Sequence, residues 1–122
     1  MERFGDHITP PEEEGKEKHV PIIHAPDSAK AGEPFEVTVV VGEETPHPSE
    51  LKHSIRAVEL WAKYKDSPKP ILKVASAHFG ATLTRPTVTF HVTLEESATL
   101  FALEYCNIHG EWDYSVDIEI TE

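Results

Sequence analysis

The chain has 122 residues, with 22 acidic against 11 basic side chains and a formal charge of −11 at pH 7. That length builds one hydrophobic core, and that charge argues against non-specific binding to nucleic acid or an anionic membrane, both of which reward a basic surface. No apolar run approaches the roughly 20 residues that cross a bilayer, and the opening segment lacks the apolar stretch of a signal peptide, so the expected location is cytoplasmic.

Residues 1–18 are polar and acidic, with Met1, Phe4 and Ile8 almost the only apolar side chains. They read as an irregular arm without a core of its own, and the division expected is an arm over 1–14 followed by one domain over 15–122. The segment from Glu17 to Pro26 is bracketed by Pro21 and Pro26 and is therefore extended, not helical. From Phe35 the period becomes two: Phe35, Val37, Val39 and Val41 form one apolar face of a strand. Residues 42–52 make a long connection, with a single helical turn expected after Pro48.

A second strand is predicted over 55–64, apolar at Val58, Leu60, Ala62 and Tyr64, and a third over 71–79 after a proline-rich turn. Val88, Phe90, Val92 and Leu94 alternate with polar residues in the clearest half-buried strand. Residues 98–105 form the next, and Tyr114, Val116, Ile118 and Ile120 mark the last. With the stretch at Pro21 to His24 this gives about seven antiparallel strands and no amphipathic helix, so the predicted fold is all-β, an immunoglobulin-like β-sandwich.

The chemistry gathers at Cys106-Asn107-Ile108-His109, which holds the single cysteine. One cysteine closes no intrachain disulfide, which agrees with a reducing compartment and leaves the thiol free for a metal or for nucleophilic chemistry. A structural zinc site wants more thiolates than one. The chain offers histidine instead, eight in all, with His19, His47 and His53 in settings that look like loops or element ends. Loops of a sandwich meet at its two ends, so these three, with Cys106 and His109, can converge on one ion. Imidazoles suit iron, copper, nickel or zinc, and one thiolate narrows this towards a redox metal. Five protein ligands leave an octahedral ion one open position, the arrangement of a catalytic site.

At Glu17-Lys18-His19-Val20-Pro21, at His47-Pro48 with His53 five residues beyond Pro48, and at Cys106-Asn107-Ile108-His109-Gly110-Glu111-Trp112, the sequence resembles the superoxide reductases, also called neelaredoxins, and the iron domain of desulfoferrodoxin. The resemblance runs from Gly15 onward, and three motifs in order make it specific. It implies an immunoglobulin-like sandwich and one mononuclear iron, Fe(II)/Fe(III), held by His19, His47, His53 and His109 with Cys106 axial. It also implies that Glu17 can occupy the sixth position in the ferric state and that Lys18 attracts superoxide and helps its protonation. The implied reaction is the one-electron reduction of superoxide to hydrogen peroxide. A rubredoxin-like electron donor and a homotetramer come with the one-iron class, to which a chain with one cysteine corresponds.

The other four histidines, His7, His24, His78 and His91, read as ordinary, His24 being the one near enough to His19 to support it from behind. Trp61 and Trp112 read as core or rim packing. Two other classes compete. A blue-copper electron carrier is also a β-sandwich with His and Cys ligands, but the only methionine is Met1, so its axial ligand is missing. A non-catalytic immunoglobulin-like domain holding zinc is the third.

Overall fold

In the computed structural model, which describes residues 1–11 and 17–122, eight strands form two facing sheets. The smaller sheet has β1 (Pro21–His24), β3 (Phe35–Val41) and β6 (Thr87–Val92), in the order β1-β3-β6. The larger has β2 (Ser28–Lys30), β4 (Ile55–Tyr64), β5 (Leu72–His78), β7 (Ala98–Cys106) and β8 (Gly110–Thr121), in the order β2-β8-β7-β4-β5. No helix among the described residues is long and apolar enough to cross a membrane.

The two-residue period decides which side chains fill the space between the sheets. Val37, Val39 and Val41 of β3 meet Val58, Leu60 and Ala62 of β4, Leu100 and Ala102 of β7, and Ile118 of β8, all buried. Each such aliphatic side chain contributes roughly 1.5–3 kcal/mol by leaving water. Strands β3 and β4 start and stop where the alternation does. The predicted strand over 71–79 is one residue longer than β5 at each end, that over 98–105 is one residue shorter than β7, and the last strand reaches back to Gly110.

Three expectations change. The strand β2 pairs in parallel with the end of β8, through Ser28↔Glu119 and Lys30↔Thr121; with Ala29 its one apolar residue, it shows no periodicity to read. The helical turn expected after Pro48 is a tight antiparallel turn: the Glu50 amide donates to the His53 carbonyl (2.9 Å) and the His53 amide to the Glu50 carbonyl (3.1 Å). Two reciprocal bonds close it, where one isolated helical turn would fix several residues for a single bond. The arm is not wholly irregular either. Phe4–His7 form a 3-10 turn, and Thr9 bridges in parallel to Trp112. The boundary expected between residues 14 and 15 falls outside the described residues.

Candidate metal centre

Four short segments bring the predicted donors to one end of the sandwich. His19 closes a turn before β1, in which the Val20 amide donates to the Glu17 carbonyl (3.1 Å). His47 lies in the β3–β4 connection, His53 ends the tight turn, Cys106 ends β7, and His109 is the last of the three turn residues before β8. Gly42 lets the first two approach. A Cβ there would sit 2.7 Å from the Lys18 carbonyl oxygen and 2.9 Å from the His47 amide nitrogen, and its φ of +73° is left-handed. Any side chain would push the His19 turn away from the His47 loop.

The other side is held by Asn107. Its Oδ1 accepts from the Ser54 amide (2.9 Å) and its Nδ2 donates to the Lys52 carbonyl (2.9 Å), so one side chain grips the backbone on both sides of His53. Next to it the β4–β7 register slips between Ile55 and Ala57, leaving Arg56 as the extra residue. Arg56 donates to Ser54 Oγ (2.7 Å) and to the Leu51 carbonyl (3.0 Å), shaping the same turn. A bulge here re-aims the chain as it leaves the sheet.

The four imidazoles close a cycle of edge-to-face contacts. Ring centroids lie 4.8 Å apart for His19 and His47, 4.6 Å for His47 and His53, 5.0 Å for His53 and His109, and 4.8 Å for His109 and His19. His19 Nε2 and His109 Nδ1 are 3.1 Å apart, and Cys106 Sγ lies 3.5 Å from His47 Nε2 and 3.7 Å from His109 Nδ1. One donor atom each from His19, His53, Cys106 and His109 falls within 4.8 Å of the others. Adjacent nitrogens around an ion that binds each at about 2.1 Å would stand about 3 Å apart. Cys106 is fully buried and His19 and His47 nearly so, while His109 is exposed. The thiol therefore forms the inner end of the group and His109 its outer rim.

The nitrogens turned away from the group are already engaged. His47 Nδ1 donates to the Pro48 carbonyl (2.8 Å), and His19 Nδ1 meets both Glu17 carboxylate oxygens (2.9 and 3.0 Å). With those protons committed outward, Nε2 of each ring keeps its lone pair for the centre. His53 Nε2 is buried with no hydrogen-bond partner. Its unmet demand and the direction of its neighbours fit a bound cation. Burial is the main cause that drives His47 down to about 4, helped by the nearby charges of His19, His53 and Lys18 and opposed by the Pro48 carbonyl. Burial also lowers His53, with His109 and Lys18 adding to it. Both rings are thus neutral near pH 7, the form that binds metal.

The sulfur accepts from the His109 amide (3.4 Å). Burial raises Glu17, but the hydrogen bonds and charge of His19 outweigh it and hold the carboxyl below its usual range. The carboxylate stands behind His19, on the ring edge opposite Nε2.

Of the remaining histidines, His24 is exposed and pairs with Glu43, and His91 pairs with Glu36 on the surface (3.4 Å). Both pairs lie on the surface, in line with the ordinary reading of these two histidines, and it is Glu17 that supports the His19 ring from behind. One buried group escaped the sequence reading. Glu104, two residues before Cys106 and on the same inward face of β7, is fully buried, and neither oxygen closes a hydrogen bond. Burial first, then the charges of Glu111 and Glu17, push it up to about 9, while the amides of Cys106 and Trp112 lean towards it and pull weakly the other way. Extending the alternation of Leu100 and Ala102 by one step would have placed it inside.

A β-sandwich that gathers four imidazoles and one thiol at one end carries the donor set of a nitrogen–sulfur metal site. The chain belongs to the desulfoferrodoxin family, whose sequence profile matches residues 11–115. It is 40% identical over 105 residues to the superoxide reductase of Thermococcus kodakarensis, covering 84% of this chain and 89% of that one. It is 35% identical over 111 residues to the neelaredoxin of Megalodesulfovibrio gigas, covering 81% and 85%. Among solved structures, the superoxide reductase (neelaredoxin) of Ignicoccus hospitalis superposes with a TM-score of 0.88 at 35% identity, over 98% of this chain and all of that one.

Proposed function

We propose that this chain is a superoxide reductase, in which one superoxide, one electron and two protons give one hydrogen peroxide and no dioxygen. The observation that carries the reading is the gathering of donor atoms of His19, His53, His109 and the buried Cys106 within 4.8 Å of one another, with His47 Nε2 3.5 Å from the same sulfur. We assign these five as ligands of one iron. When bound, the iron supplies a one-electron Fe(II)/Fe(III) couple whose electron density the thiolate raises, the lever that also operates in cysteine-ligated haem.

The chain's own residues do the rest. His47 and His19 are held by Pro48 and Glu17, so the rings need no reorientation. Four neutral imidazoles and one thiolate leave a ferrous centre with net charge +1, and Lys18 adds a second positive charge on a strongly acidic protein. Lys18 attracts superoxide and stands ready to donate a proton. The resemblance makes Glu17 a sixth ligand of the oxidised centre; its grip on His19 supports a brace as its role in the resting state. A rubredoxin-like donor, a cytoplasmic location and a homotetramer complete the proposal, on the strength of the family alone.

The test is metal analysis with visible spectroscopy and superoxide kinetics on the purified protein. One iron per chain, pale when reduced and coloured when oxidised, together with consumption of superoxide without release of dioxygen, is the expected result; zinc, copper or no metal would end this reading. A second prediction isolates Lys18. Lys18→Ala slows the bimolecular reaction about tenfold or more and flattens its salt dependence, leaving the spectrum intact. An unchanged rate would remove Lys18 from the approach of superoxide.

A further inference from the structure

We propose that Trp112 is a positioning residue for the metal centre, and that the N-terminal arm clips it in place; this rests on the ligand assignment above. The indole lies nearly parallel to the His19 ring, at 4.8 Å and 12°, whereas the four imidazoles meet one another at 63–78°. An ion bound at Nε2 lies in the plane of its imidazole, so a ring stacked on the face takes no ligand position. It blocks a different motion, the turning of His19 about its Cβ–Cγ bond. Glu17 holds the same ring by its edge. Face and edge together leave one orientation.

The indole also reaches the other end of the donor set. Trp112 Nε1 donates to the His109 carbonyl (3.3 Å), three residues back, which ties the turn carrying His109 to the ring that packs on His19. Those two histidines are separated by 90 positions in sequence, and their inward nitrogens are 3.1 Å apart. One side chain touches both.

Trp112 is in turn fixed from two sides. Strand β7 pairs with it through Glu104↔Trp112. On its other edge, the Thr9 amide donates to the Glu111 carbonyl (3.0 Å) and the Asp113 amide to the Thr9 carbonyl (3.2 Å), so the arm bonds the backbone immediately before and after the tryptophan. β2 covers this edge of β8 only from Glu119 onward. The arm pairs with a stretch of that edge, at Glu111 and Asp113, that β2 does not reach. Phe4 and Ile8 line an apolar hollow of about 490 Å³ with Trp61, Ile71 and Phe101, although Phe4 is still largely exposed.

The experiment compares parent, Trp112→Leu, Trp112→Phe and Thr9→Pro as full-length chains. The readouts are the rate of iron transfer to a chelator, the visible spectrum of the oxidised protein, and the melting temperature without metal. Uptake of one iron by the parent tests the ligand assignment separately, so its failure is not confused with failure of the brace. Trp112→Leu is expected to lose iron about 10–100 times faster than the parent, with a shifted absorption maximum, the range found when groups that orient metal ligands are removed. Trp112→Phe keeps a stacking ring but loses the donor to His109 and falls in between. It also keeps the test open if the leucine variant does not fold. Thr9→Pro removes the amide given to Glu111 and moves both iron loss and spectrum in the same direction, by a few-fold. If the Trp112 variants lower the melting temperature but release iron at the parent's rate with an unshifted spectrum, the indole is packing only and the proposal falls; parental iron release in Thr9→Pro would remove the arm from it.

Discussion

Cys106→Ser abolishes the visible absorption of the oxidised protein and lowers the rate with superoxide by more than about a hundredfold, a larger loss than the removal of groups that merely orient metal ligands. The reason is acid–base chemistry in a closed place. A thiol near pKa 8.5 is readily deprotonated by a metal, and a serine hydroxyl is not. Cys106 is fully buried at the inner end of the donor group, so no water can replace the lost anion, and the His109 amide that donates to sulfur would face a smaller, neutral oxygen. The variant still folds, since the sulfur's packing contribution is modest beside the valines and leucines around it. Absorbance, metal content and kinetics of the variant check this together; retained colour in a folded variant would show that Cys106 is not the source of the charge transfer.

The second large effect concerns the metal-free protein and its pH dependence. Glu104 has its value raised from 4.5 to about 9 in the folded chain, so the folded state holds a proton that the unfolded state releases. Its contribution is complete below about pH 4.5 and is lost as the pH rises towards 9. His47 runs the other way: lowered from 6.5 to about 4, it favours the fold above 6.5 and penalises it as the pH falls. Between those limits the two slopes oppose each other. Above pH 6.5 only the Glu104 slope remains, about 1.4 kcal/mol per pH unit. Glu104→Gln removes that slope. Denaturant unfolding at a series of pH values would find the variant gaining about 3 kcal/mol on the parent between pH 6.5 and pH 9, and parallel curves would show that Glu104 is not protonated in the fold.

What could be read from the amino acids divides along physical lines. Strands buried on one side announce themselves, because a two-residue period has to persist for as long as the face is covered; Phe35–Val41 and Ile55–Tyr64 are legible to the residue. β2 is too short for a period, and its parallel pairing is a long-range matter. The turn at 50–53 is decided by Asn107, more than fifty residues away, so nothing local could reveal it. The five side chains that gather at this end were legible as residue types at telling positions. Which nitrogen of each ring points inward was not, since that depends on the Pro48 carbonyl and the Glu17 carboxylate. Glu104 was hidden for another reason: a carboxyl in the inward row of a strand contradicts the pattern used to find the row.

The distance in sequence between the two histidines that Trp112 touches bears on how the centre is assembled. A chain leaves the ribosome at about 5–20 residues per second, so the segment carrying His19 emerges seconds before the hairpin carrying Cys106 and His109. Until β7 pairs with β4 and β8 with β7, the early histidines have no Cys106 neighbour and no Asn107 to hold the turn around His53. A metal captured during synthesis would find an incomplete set of donors. The full donor set therefore exists only once β7 and β8 have joined the sheet.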